Sequence, residues 1–163
     1  MRGLVLDFGG VLAGPGTDGR ALAGVVAALR GRGVRTAILS NDPGGPGAAR
    51  LRELGGGRFV DEVVLSGDVG VAKPDPRSYL LVAQRLGLEP SQCVFVDDLV
   101  ANVRAAAATG MVGVHHECPD AVVEELTVLF ELSADEEAPV TSAPVNSAAG
   151  DTVTDRGEGD TRR

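Results

Sequence analysis

Gly-Leu-Val-Leu-Asp-Phe-Gly-Gly-Val-Leu, residues 3–12, is the stretch on which the fold turns. Leu4, Val5 and Leu6 form a short, continuously apolar run bounded by glycine, the pattern of a strand buried on both faces of a parallel sheet. A carboxylate, Asp7, stands where the run ends, and Gly9 and Gly10 follow it. Glycines there let the backbone turn sharply and pass close to a ligand. In open α/β sheets ligands bind beyond the carboxyl ends of the strands, so Asp7 is placed for chemistry. Standing alone, the stretch would equally suit an Asp that caps a turn.

Outward from this strand the same unit recurs. Apolar runs at Val34–Leu39, Glu62–Ser66, Val94–Val96 and Met111–Val114 read as four further strands. Between them lie segments with helical spacing: Leu22, Val25, Val26 and Leu29 over 20–32, then Leu51 and Leu54. Asp75-Pro76 opens a helix carrying Leu80, Ala83 and Leu86. Leu99, Val103, Ala106 and Ala107 mark the next, and Asp120 caps a last one with Val122, Val123, Leu126 and Leu129. Residues 67–74 read as a loop. Strands alternating with helices predict an α/β fold: a three-layer, Rossmann-like, parallel five-stranded sheet with helices on both faces.

Composition narrows the class. The chain has 163 residues, a single-domain length, and is 44% hydrophobic but only 3% aromatic, so Val, Leu and Ala must build the core. A net charge of −8 argues against nucleic acid or an anionic membrane surface as partner. An anionic small substrate stays open, because a metal ion can invert the local field. Cys93 and Cys118 lack CxxC spacing, and no disulfide framework is expected. No apolar run reaches the ~18 residues of a membrane span. With no signal-like segment before the first strand, the expectation is a cytoplasmic protein. Residues 1–132 are expected to form the core domain. From 133 to 163 there is no Leu, Ile or aromatic residue, and seven acids stand against three arginines. That tail is expected to be disordered, or else to dock as an extended arm on this chain or a neighbour.

In a parallel sheet the ends of the strands share one edge. There the chain places Asp7, Ser40 with Asn41, Asp97 with Asp98, and Lys73 from the loop before a helix. Each has a plain structural reading as a cap or a solvated loop residue. Together, a nucleophilic carboxylate, a hydroxyl beside an amide, a lysine and an acidic pair suit phosphoryl transfer with a divalent metal.

These segments resemble the haloacid dehalogenase-like hydrolase superfamily, its phosphatase branch in particular. Leu-Asp-Phe-Gly-Gly-Val-Leu (6–12) is similar to the first motif and Ile-Leu-Ser-Asn (38–41) to the second. Val-Ala-Lys-Pro-Asp-Pro (71–76) resembles the third, and Val-Phe-Val-Asp-Asp-Leu-Val-Ala-Asn-Val (94–103) the fourth. The resemblance implies that Asp7 attacks phosphorus to form an aspartyl-phosphate. It implies that Ser40 and the Asn41 amide, with the turn at Gly9 and Gly10, hold the phosphoryl group, and that Lys73 neutralises charge. It implies Mg²⁺ on Asp7, the Gly9 carbonyl and Asp98, with Asp97 helping through water. The implied substrate is a phosphate monoester.

The sequence departs from that pattern twice. Active phosphatases of the branch usually place a second Asp two residues after the nucleophile, as acid and base, and here Gly9 stands there. Removing such an acid typically costs ~10²–10⁴-fold in rate. A binding or regulatory module with little turnover is therefore the rival reading, and a metal-free 2-haloacid dehalogenase a third. The second departure is the lack of room for a cap domain between the motifs, which implies an open site. Such a site admits a bulky ester, or is covered by the tail or another subunit. His115-His116-Glu117-Cys118 is read as lining the sheet edge rather than as a metal site.

Overall fold

The computed structural model describes residues 1–132; the tail expected from 133 onward lies outside the described residues. Five parallel strands form one sheet: β1 (Gly3–Leu6), β2 (Arg35–Ser40), β3 (Glu62–Leu65), β4 (Cys93–Asp97) and β5 (Val112–His115). Their spatial order is β3-β2-β1-β4-β5. The chain runs outward from β1 through β2 to β3, then crosses back over β1 to begin β4 on its other side. Such a reversal opens a crevice at the carboxyl end of the central strand. The register sets Leu6 beside both Ile38 and Val96, so the residues that follow these strands emerge side by side.

Helices α1 (Gly19–Gly31), α2 (Pro46–Arg52), α3 (Ser66–Val69), α4 (Pro76–Leu86) and α5 (Val100–Ala108) connect the strands, and α6 (Pro119–Leu129) follows β5. Alternation along the strands divides the core. Leu4, Leu6, Val94 and Val96 pack on one face with Leu22 and Val26 of α1 and Val122 and Leu126 of α6. Val5, Cys93 and Phe95 pack on the other with Tyr79, Val82 and Leu86 of α4 and Ala106 of α5. The expected three-layer architecture is therefore present. Among the described residues, β1 and β2 are joined by loop and α1 alone, and β2 and β3 by loop and α2.

Local chemistry sets the helix ends. The Asp18 carboxylate accepts the N–H groups of Arg20 and Ala21, both at 3.1 Å, and α1 ends before Gly33, whose φ is +79°. Asp75 accepts from the Arg77 N–H at 2.9 Å, Pro76 fills the first turn of α4, and Gly87 closes it at φ +69°.

Several sequence expectations need correction. Ser66 belongs to the short α3 rather than to the third strand, and residues 67–69 are helical rather than loop. The Asp42 carbonyl, which accepts from Ser66 Oγ at 3.0 Å and Gly67 N–H at 2.8 Å, draws this segment off the sheet. Leu80 is exposed, because the buried stripe of α4 runs through Tyr79, Val82, Ala83 and Leu86 at i, i+3, i+4 and i+7. In α5 the buried residues are Asn102 and Ala106, while Leu99 and Ala107 face solvent. Cys118, not Asp120, is the residue that precedes α6; Pro119 opens it and Asp120 lies in its first turn.

Leu22 is fully buried between α1 and the sheet. Leu22→Ala is expected to lower unfolding stability by about 2–5 kcal/mol. Urea denaturation should show this as a lower midpoint at unchanged slope.

Candidate active site

At the carboxyl end of β1 the structure brings Asp7, Lys73, Asp97 and Asp98 together, with Asn41 bound to the Lys73 backbone and Gly10 against Asp98. Leu4 and Leu6 face α1 and α6, so Asp7, one residue on, emerges toward α4 and α5. Phe95 and then Asp97 of β4 take the same side. Lys73 enters from the loop ahead of α4, its ammonium 5.5 Å from the centre of the Phe95 ring. Its Nζ donates to Asp7 Oδ1 at 2.6 Å and to Asp97 Oδ2 at 2.7 Å. All three side chains are withdrawn from water; Asp97 is 0% exposed. One ammonium thus bridges two buried carboxylates on neighbouring strands.

Asp97 is held from every direction. Its Oδ1 accepts the Leu99 N–H at 2.8 Å, and Asn102 Nδ2 lies 3.1 Å from both carboxylate oxygens. Asn102 is fixed in turn through its carbonyl, which accepts from the Tyr79 hydroxyl at 3.0 Å. The Tyr79 ring meets Phe95 edge to face, with centroids 5.2 Å apart. Neither Asn102 nor Tyr79 stood out as a functional residue in the sequence. The available signal was a polar residue on the inward side of α5, within the segment 94–103.

Asn41 plays a different part from the one its position suggests. Its side-chain amide donates to the Lys73 carbonyl and accepts the Lys73 N–H, both at 2.8 Å. The carboxamide therefore clamps the lysine's backbone, and only the main-chain N–H of Asn41 is left to face a ligand.

Asp98 completes the acidic group: with Asp7 and Asp97 it offers carboxylate oxygens that lie within 4.8 Å of one another. Gly10, at φ +78°, makes room for it, since a Cβ there would collide with the Asp98 carboxylate. His115 braces the same loop from β5, its Nε2 2.9 Å from the Asp98 carbonyl and its Nδ1 3.1 Å from Glu117 Oε1. His116 is buried. Among the described residues, the group of His, Cys, Asp or Glu suited to a metal is this acidic trio, and His115–Cys118 forms no second one.

Electrostatics set the tone of the site. Burial pushes the Asp7 carboxyl above its usual value; the charge and hydrogen bond of Lys73 pull it down, and the neighbouring Asp97 charge pushes it up again. When ionised, three carboxylates facing one ammonium leave two negative charges unbalanced. A divalent cation would cancel them, and carboxylate oxygens are the donors that a hard cation such as Mg²⁺ prefers. Asp97 has both oxygens already engaged, which leaves Asp7 and Asp98 as the open donors. Gly10→Ala is expected to keep the sheet but to weaken Mg²⁺ binding by about 10–100-fold. Isothermal titration with MgCl₂ would measure this, and an unchanged affinity would mean that Asp98 is not a ligand.

Known proteins share this fold or parts of this sequence. An uncharacterized protein from Corynebacterium glutamicum superposes with a TM-score of 0.77 at 46% identity, over 82% of this chain and 97% of that one. The HAD family enzyme BT-2542 of Bacteroides thetaiotaomicron, crystallised with magnesium and inorganic phosphate, shares the fold, with a TM-score of 0.51 at 20% identity over 60% of this chain and 52% of that one. A phosphatase of Mycobacterium tuberculosis is 34% identical over 105 residues, or 61% of this chain and 48% of that protein. The chain spans no more than about half the length of the curated relatives it first matches. A family model described as haloacid dehalogenase-like hydrolase matches residues 19–110, more than half of the sequence. With its parallel sheet and its acid-lysine crevice at the central strand, the chain belongs to the haloacid dehalogenase-like hydrolases.

Proposed function

We propose that this hydrolase is a Mg²⁺-dependent phosphatase that cleaves a phosphate monoester through an aspartyl-phosphate on Asp7. The observation that carries the reading is the Lys73 ammonium locked between Asp7 and Asp97, beside an Asp98 that leaves negative charge in excess. This suits a carboxylate that must meet a dianion: the lysine covers one side of it, and the remaining charge invites a cation. The phosphatase relative and the magnesium and phosphate in BT-2542 support it.

The residues divide the work as follows. Asp7 attacks phosphorus while the bond to the ester oxygen breaks, and the alcohol leaves. Water then attacks the phosphorus of the aspartyl-phosphate, freeing inorganic phosphate and restoring the carboxylate. Lys73 offsets charge on Asp7 and on the phosphoryl group. The Ser40 hydroxyl and the backbone N–H of Asn41 donate to phosphoryl oxygens above the turn at Gly9 and Gly10. Asn102 and Tyr79 keep Asp97, and through it Lys73, in place. Mg²⁺ would be held by Asp7, Asp98 and the Gly9 carbonyl, and it would supply charge neutralisation at the phosphoryl oxygens; the water-mediated part expected of Asp97 gives way to its bonds with Lys73, Leu99 and Asn102. No side chain at residue 9 can protonate the departing oxygen, so water or the substrate does so, which favours esters of acidic alcohols.

Gly9 also favours a second reading, a module that keeps the pocket but turns over little. The two separate in one assay. Phosphate release from p-nitrophenyl phosphate is expected to require Mg²⁺ and to disappear in Asp7→Asn. Equal rates in the two proteins, with and without metal, would leave the module reading standing. A Cβ at residue 9 meets nothing within 4 Å, and its backbone lies outside the left-handed region, so an acid fits there. Gly9→Asp is therefore expected to accelerate hydrolysis of alkyl phosphates by about 100-fold, the lower end of general acid catalysis. The same change should scarcely affect p-nitrophenyl phosphate, whose leaving group needs no proton.

A further inference from the structure

We infer that the site is built for monoesters whose leaving group is uncharged and apolar, and that Leu99 and Val100 contact that group. The inference rests on reading the Asp7 crevice as the phosphoryl site. Leu99 is 58% exposed and Val100 40%, and they directly follow Asp98 at the carboxyl edge of the sheet. Both stand among the exposed side chains rather than in the core. They are two of only five large hydrophobic side chains exposed among the described residues, and they adjoin the acidic trio. The Leu99 N–H is pinned to Asp97, which holds this apolar lip in place beside the crevice.

The rest of the rim points the same way. The segments that follow β1, β2 and β4 up to and into the first turn of the next helix, residues 8–18, 41–47 and 98–103, contain no Lys or Arg. Lys73 is buried and already shared between two carboxylates. The nearest arginines along these segments, Arg20, Arg50 and Arg104, lie inside α1, α2 and α5, and Arg77 at the start of α4 is paired with Asp75. Acidic groups, Asp18 and Asp42, are the ionisable side chains that the first two of these loops add beyond the crevice itself. A carboxylate or second phosphate on the leaving group would find no Lys or Arg in these three segments, and acids in their place. An alkyl or aryl group would find Leu99, Val100 and the glycine- and proline-rich loop surfaces.

Binding of non-hydrolysable phosphonates separates this inference from the catalytic one, because it needs no turnover. Isothermal titration in MgCl₂ would compare ethylphosphonate, hexylphosphonate and 6-phosphonohexanoate. A fully buried methylene is worth roughly fourfold in affinity, so hexylphosphonate should bind about tenfold or more tighter than ethylphosphonate with its extra chain partly covered. The terminal carboxylate of 6-phosphonohexanoate should cancel most of that gain. Leu99→Gln should bring the affinity for hexylphosphonate close to that for ethylphosphonate. Equal affinity for the two alkyl chains in the wild type, or tighter binding of the carboxylate, would overturn the inference even if the protein releases phosphate from esters. Failure of all three to bind would overturn it together with the phosphoryl-site reading. Length-dependent binding without any phosphate release would uphold it and remove only turnover.

Discussion

The site depends on one ammonium ion. Lys73 leaves water and passes between Asp7 and Asp97, at 2.6 and 2.7 Å. Without it, two carboxylates on adjacent strands would face each other in a region of low dielectric, where like charges repel strongly. With it, a positive charge lies between them and offsets that repulsion. Removing one partner of a buried ion pair leaves an uncompensated charge, so each of the three positions constrains the other two. The structure invests accordingly in the lysine: Asn41 ties down its backbone with two hydrogen bonds, and Phe95 presents its ring to the charge.

The scaffold beneath this ion pair is as ordered as the pair itself. Tyr79 reaches from α4 to the carbonyl of Asn102 in α5, and Asn102 reaches from α5 to Asp97 in β4. Burial pushes the Tyr79 hydroxyl strongly up, with Asp97 and Asp7 adding to the effect, so it remains a hydrogen-bond donor throughout the ordinary pH range. Two helices on one face of the sheet are thereby linked to the acid at its edge. A buried polar chain of this kind is favourable only when every member is satisfied, and here the members are. The opposite face, packed with α1 and α6, carries apolar side chains and serves as foundation.

Much of the fold was legible along the chain because its signals are local. Three apolar residues between glycines, Leu4 to Leu6, admit little but a buried strand, and Asp75-Pro76 followed by Gly87 brackets a helix whatever lies around it. The errors also have local causes. Leu80 and Leu99 fit an apolar repeat but lie just off the face that Tyr79 and Asn102 turn inward. A sequence pattern assigns apolar residues to the core by default, and it does not anticipate a helix that points an amide inward to serve a carboxylate. Ser66 looked like the end of a strand because the Asp42 carbonyl that captures it lies twenty-four residues away.

What the sequence by itself determined is the set of chemical groups and the edge at which they meet. In a parallel sheet the residues ending each strand share one side, and Asp7, Ser40, Asn41, Lys73, Asp97 and Asp98 could be assigned there before any coordinate was known. The tertiary structure alone decided the strand order that puts β1 between β2 and β4, and with it the distances that make an acid, a lysine and a second acid one unit. It alone showed that the Asn41 amide is spent on Lys73, that Gly10 is the seat of Asp98, and that Leu99 and Val100, next in the chain after Asp98, are exposed. The physical reason is range. Caps, turns and apolar periods are written within a few residues, whereas an ion pair between positions 7, 73 and 97 exists only once the sheet has brought them together.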